Sequence, residues 1–178
     1  MTPSGLPARV ASRWLSRQAS VRFKGAKTGK AFRILYRAFV ESMVGKSLTV
    51  DLHPRKSMGR QTGHVTSQDL DRGHIRIFFL TGYPPYALRN IGHELTHVLQ
   101  YKRGDLAFEG NKILWKGHPY MTKEEYDVLD YAGHGNLPWE AEAKREGEAK
   151  AAAFLRSAPT ALRGKSPALD YMFDNDLL

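Results

Sequence analysis

Apolar and polar residues recur with two different periods along this chain, and the switches between them mark out its elements. Between 29 and 44, Phe32, Leu35, Tyr36, Phe39 and Met43 fall at three- and four-residue steps, which puts them on one face of a helix. Thr28 offers a cap before it and Gly45 a stop after it. SLTVDLH (47–53) alternates with a period of two, and HIRIFFL (74–80) does so more strongly, so both predict strands. Residues 54–73 are polar and glycine-bearing, and predict a loop or a hairpin. TGYPPY then leads into a helix over 86–102, with Pro84 and Pro85 at its start and Gly104 past its end.

The second half continues the same mixture. Residues 105–121 suggest a short hairpin. Thr122 and Glu125 form a capping-box pattern for a helix over 123–131, and AGHGN (132–136) predicts a loop. Leu137-Pro138 opens a long helix, rich in Ala and Glu, to about residue 156. The end, SPALDYMFDNDLL, is partly acidic and either docks or hangs free. No internal repeat is present. The pattern implies an α+β fold, with a short mixed or antiparallel sheet packed on helices.

With 178 residues, the chain has room for one domain with a real core. No apolar run approaches the ~20 residues of a membrane-spanning helix, and no signal-peptide pattern stands at the start. Cysteine is absent, so any metal must be held by His, Asp or Glu. The net charge of +9 is concentrated in one place. Residues 1–40 carry nine Lys and Arg and no acid, which leaves 18 basic against 18 acidic residues in the remainder. This divides the chain into a basic arm (1–28), a folded domain (29–156) and a tail (157–178). An acid-free arm suits an anionic partner: nucleic acid, anionic lipid or an acidic neighbour in a larger particle. GAKTGK within it departs from a phosphate-binding loop, with three residues between its glycines and Ala31 where Ser or Thr is needed.

The candidate chemistry lies at 92–100, GHELTHVLQ. On a helix at ~100° per residue, Leu88, Ile91, Leu95, Val98 and Leu99 share the core-facing side. His93 and His97 fall on the other side, about 40° apart, flanked by Asn90 and Glu94. Imidazoles four residues apart stack one turn above the other and can converge on one ion. Glu94 then lies beside that ion, placed to take a proton from water. A hydrolytic site needs a third ligand, and Val98 to Asp105 supplies no histidine. LPWEAEAKREGE offers Glu140, Glu142, Glu146 and Glu148. Glu140 and Glu142 lie in the first turns, where the helix dipole favours carboxylates. Ala143, three residues after Glu140, would let this helix approach the histidine helix closely; Arg145, three after Glu142, would not. Glu140 is therefore the first choice and Glu142 the second. His134 is a rival, either as ligand or as the donor that stabilises an oxyanion. Tyr120, Tyr126 and Tyr131 are further donors for a tetrahedral intermediate. His53, His64, His74 and His118 have no partner at metal-binding spacing.

HELTHVLQY, WKGHPY and LPWEAEA together resemble zinc metallopeptidases that carry two histidines on one helix and a glutamate on the next. Over about 86–149 the chain looks like small metallopeptidases encoded by bacteriophages and bacteria. HELTHVLQ is also similar to metallopeptidase-like modules of bacterial contractile-injection effectors. The resemblance implies a zincin-like domain, zinc held by His93, His97 and Glu140, Glu94 as general base and a peptide or protein substrate. It implies that HIRIFFL is an edge strand to which extended substrate pairs. The compartment is left open, with the cytoplasm or a phage particle expected because no secretion signal is seen. Related enzymes often have Asp or Asn four residues after the ligand glutamate, orienting a ligand histidine. Here Lys144 stands there, so that hydrogen bond must come from elsewhere. Two other readings compete: a structural or particle-associated protein whose working part is the basic arm, and a zinc amidase acting on peptidoglycan.

Overall fold

The computed structural model describes residues 20–25, 28–45, 48–55, 63–64, 74–80 and 82–178. Most of the expected arm, 1–28, lies outside them. Two small sheets and six helices make up the described residues: β1 Val21–Phe23, α1 Lys30–Val44, β2 Thr49–Arg55, β3 Gly63–His64, β4 His74–Leu80, α2 Pro84–Arg103, β5 Leu106–Glu109, β6 Lys112–Trp115, β7 His118–Thr122, α3 Lys123–Asp127, α4 Tyr131–Gly135, α5 Pro138–Leu162 and α6 Pro167–Asp174. The mixed α+β class follows from this order.

The first sheet has the order β1-β2-β4-β3, with β1, β2 and β4 parallel and β3 antiparallel to β4. β2 and β4 pair along their whole length, from Thr49–His74 to Arg55–Leu80. Their alternation decides which face is buried: Val50, Leu52, Ile75, Ile77 and Phe79 are fully buried, and the residues between them are mostly more exposed. Leu35 and Phe39 of α1 and Leu88, Ile91, Leu95 and Val98 of α2 belong to the same core. The apolar stripes expected for both helices therefore face inward. Pro54 prolongs β2 past the expected end at residue 53. Its missing N–H costs nothing in the ladder to β1, because β1 stops opposite Leu52.

HIRIFFL forms a strand over the expected residues, but not the edge strand that was expected. Gly63 and His64 pair with Phe79 and Phe78, so β3 occupies that side of β4 at its C-terminal end. β3 falls within 54–73, where a loop or a hairpin was expected, and a two-residue strand is too short to show alternation.

Residues 106–122 form a three-stranded antiparallel sheet rather than one hairpin. The extra strand is β7. Lys116 and Gly117 both have positive φ (51° and 82°), the conformation of a tight two-residue hairpin turn. Pro119 has no N–H to give a ladder, but β7 pairs only with β6 and lies at the sheet's edge, where a proline is tolerated. Thr122 and Glu125 make the expected capping box, with Glu125 N donating to Thr122 Oγ1 and Thr122 N to Glu125 Oε2. The helix they start ends early, at Asp127. Asp130 then caps a further short helix by accepting from Gly133 N at 2.7 Å. AGHGN is therefore mostly helical, not a loop, and His134 sits in α4.

α5 runs past the expected stop near 156 to Leu162. The C-terminal segment docks: Leu169 of α6 is fully buried in the main core. A second, smaller cluster joins Leu106 and Ile113 of the three-stranded sheet to Leu137 and Trp139 at the start of α5. The start of α5 is thus anchored by the three-stranded sheet as well as by α2.

Candidate metal centre

α2 and α5 pack antiparallel and unusually close. A Cβ built on Gly147 would lie 2.5 Å from His93 N, and one on Gly92 would lie 2.8 Å from Gly147 O. Only glycine at both positions allows the two backbones to touch. Ala143 and Ala151, one turn to either side of Gly147, are also buried and small. Ala143 was expected to permit this approach; the tighter Gly92–Gly147 contact was not foreseen. Glycine at 147, within an Ala- and Glu-rich helix, was its visible signal.

The close approach brings the expected ligands together. His93 Nε2 and His97 Nε2 are 3.1 Å apart. The Glu140 carboxylate straddles them, with Oε2 3.2 Å from His93 Nε2 and Oε1 3.4 Å from His97 Nε2. A tetrahedral ion with ligands at about 2.0–2.1 Å separates any two of its ligand atoms by about 3.3–3.4 Å. The two imidazole nitrogens, and each nitrogen with its nearer carboxylate oxygen, are close to that spacing, and one ligand atom from each residue lies within 4.8 Å of the others. Among the described residues they form the one group of three or more His, Asp or Glu near enough to share an ion. Partial exposure of His93 leaves a way in from solvent.

The protonation of His97 follows from its neighbours. Gln100 is fully buried. Its Nε2 donates to the Trp139 carbonyl at 2.9 Å and to Glu142 Oε2 at 2.8 Å, and neither partner can donate in return. The amide orientation is thereby fixed, with Oε1 toward His97 Nδ1 at 2.9 Å. Oε1 can only accept, so Nδ1 carries the proton, and the Nε2 of a neutral ring turns its lone pair toward the point where an ion could be held. Gln100 supplies the orienting hydrogen bond that Lys144 cannot. It stands three residues after His97, one turn along the same helix, and sequence reasoning passed over it.

Glu142 is committed elsewhere. Besides Gln100 it meets Arg103 Nη2 at 3.4 Å and Lys116 Nζ at 3.5 Å, so it ties α5 to α2 and to the β6–β7 turn rather than to the ligand group. Glu140 is the third ligand that the geometry offers. Burial alone would raise its carboxyl, but the hydrogen bonds and charges of His93 and His97 outweigh burial and hold it at about 2. Burial likewise works against a charged His97, yet Glu140 and Glu94 raise it above its ordinary value.

Glu94 is 7% exposed and makes no hydrogen bond or ion pair among the described residues. Burial raises its carboxyl, against the pull of His97 and His93. Asn90, one turn earlier, has its Nδ2 buried without a partner among the described residues. Of the three tyrosines, Tyr126 is the one coupled to the centre: burial first, then the charges of Glu140, Asp127 and Glu94, raise its phenol. Tyr131 is 77% exposed. Tyr120 packs edge-on against Trp139. His134 packs edge-on against Tyr126, with ring centres 4.6 Å apart, and lies outside the ligand group. Away from the centre, His74 belongs to a surface cluster with Asp51 and Arg22, and His53 stacks on Phe78. No family model matches the chain, and no curated protein or solved structure proved similar to it.

Proposed function

We propose that the protein is a zinc-dependent hydrolase that cleaves peptide bonds. The observation that carries this reading is the meeting of His93, His97 and Glu140, each within 3.1–3.4 Å of its neighbour, beside the buried Glu94, which is unpartnered among the described residues. Two imidazoles, one carboxylate and no cysteine are a donor set that zinc accepts with a fourth position left open. Zinc held there supplies a Lewis acid, which acidifies water toward neutrality and polarises a carbonyl.

The chain's own residues do the rest. Gln100 holds His97 in the tautomer that frees Nε2. Glu140 brings a negative charge that offsets part of the charge of a divalent ion. Glu94 takes the proton of the attacking water and passes it to the leaving nitrogen. Burial raises its carboxyl, so it accepts a proton more readily than an exposed carboxylate would. Tyr126 is the tyrosine best placed to donate to the oxyanion.

Glu94→Gln keeps size and shape while removing the base. The expected result is zinc bound at one equivalent by elemental analysis, with turnover of a denatured protein or a peptide library reduced at least about a hundredfold. Undiminished turnover in that variant refutes the role of Glu94.

A further inference from the structure

A groove of about 640 Å³ runs along α5 from Ala141 onward, with Arg89 of α2 and Gly135 of α4 completing its lining; none of the ligand residues lines it. Arg89, Lys144, Arg145 and Glu148 line it together with small residues such as Gly135 and Ala141, which leave space beside the charged groups. Its position follows from helix periodicity. Arg89 lies one turn before His93 on α2, and Lys144 lies one turn after Glu140 on α5. Because the helices run antiparallel, these two displacements point to the same side of the ligands. The Gly92–Gly147 contact and the Gln100–Trp139 hydrogen bond fix that direction.

Three cations thus face one carboxylate in a recess to one side of the ligand residues. Their lack of partners is the telling feature. Arg103 and Lys116 are held by Asp105 and Glu142, whereas Arg89, Lys144 and Arg145 make no side-chain hydrogen bond or ion pair among the described residues. A concentrated, unneutralised positive charge in a cleft favours an anionic ligand. The place of Lys144 also becomes intelligible. Gln100 already orients His97, so position 144 is free of that duty and carries a charge toward the groove instead.

We propose that this groove is the subsite for an acidic residue of the peptide substrate, a reading that rests on the hydrolase assignment above. Side chains one helical turn apart are separated by about 5–6 Å, and an extended peptide advances about 3.3 Å per residue. The acidic side chain therefore sits one or two residues from the bond that is cut.

The test is calorimetric titration of zinc-loaded Glu94→Gln protein with a terminally blocked, Glu-containing peptide and with its Gln counterpart, at near-physiological salt. The Glu peptide is expected to bind about tenfold tighter or more, as charge-assisted contacts require. That preference is expected to vanish in a variant that adds Lys144→Glu and Arg145→Glu, and to shrink with Arg89→Gln on the other helix. All three side chains are exposed, and circular dichroism confirms that each variant folds. Equal affinity for the two peptides, or a preference that survives charge reversal, overturns the subsite. Cleavage of either peptide by the unmodified protein is scored separately. Cleavage without a binding preference removes the groove proposal alone, and preference without cleavage removes the hydrolase and leaves an anion-binding groove.

Discussion

Gly147→Ala tests the claim that backbone contact between α2 and α5 sets the ligand geometry. The added Cβ would lie 2.5 Å from His93 N, 2.7 Å from Gly92 C and 2.9 Å from His93 Cα. An ordinary contact needs roughly 3.4 Å or more, so the helices must part by about 0.9 Å at this point. All three atoms are backbone, so no rotamer change can absorb the displacement. Overpacking of this kind costs about 1–3 kcal/mol, and the upper end applies to two rigid helices. Alanine returns about 1 kcal/mol through its better helix propensity. A net loss of about 1–2 kcal/mol is expected in urea unfolding of the metal-free protein. The effect on the centre is larger, since Glu140 rides on α5 and both histidines on α2. Metal–ligand distances tolerate only about ±0.2 Å, so a shift of this size is expected to weaken metal binding at least about tenfold in competition with a chromogenic chelator. Gly135→Ala is the control: a Cβ there meets nothing within 4 Å, and its stability should change little. If Gly147→Ala is as stable as the parent, or binds metal equally well, close packing does not set the site.

Gln100→Ala removes the acceptor of His97 Nδ1 and the donor to the Trp139 carbonyl in one step; metal affinity is expected to fall about 10–100-fold by the same competition assay, and an unchanged affinity would show that Gln100 does not orient the ring. Leu169→Ala should cost about 2–5 kcal/mol in denaturant unfolding, because the side chain is fully buried; a loss below about 1 kcal/mol would mean that the C-terminal helix is only loosely docked. The metal-free protein should show a pH window set by the ligand pair. His97 is raised, so its contribution is present below the ordinary value of 6.5 and fades as pH rises through the folded value. Glu140 is depressed, so its contribution is present above the ordinary value of 4.5 and is lost as pH falls toward about 2. Thermal unfolding without metal should therefore show the pair's largest contribution between about pH 4.5 and 6.5, and His97→Ala should flatten that dependence. A profile that His97→Ala leaves unaltered would refute the coupling.

What the sequence revealed, and what it hid, divides along a physical line. His93 and His97 were legible as candidates because metal chemistry demands particular side chains at a spacing that helix geometry dictates, and Glu140 was legible because a small residue, Ala143, three positions on lets its helix come close. The core faces of α1, α2, β2 and β4 were legible for a similar reason, since burial imposes a period. Features that depend on where two distant segments meet left weaker traces. β3 is two residues long and exists only because β4 offers it a partner. β7 contains Pro119 and is tolerated only because it pairs on one side. Gly92 and Gly147 read singly as a weak point in each helix, and their value appears only when the two are face to face. Gln100 is the sharpest case. It sits inside the motif that attracted attention, yet its role needs three partners at once: His97 on its own helix, and the Trp139 carbonyl and Glu142 on α5. Those partners also account for the two assignments that sequence left open. Glu142 cannot easily serve as a ligand because it holds the amide that orients one, and Lys144 need not orient a ligand because Gln100 does. A motif on one helix thus marked the two histidines, and the opposing helix decided which of its carboxylates would face them.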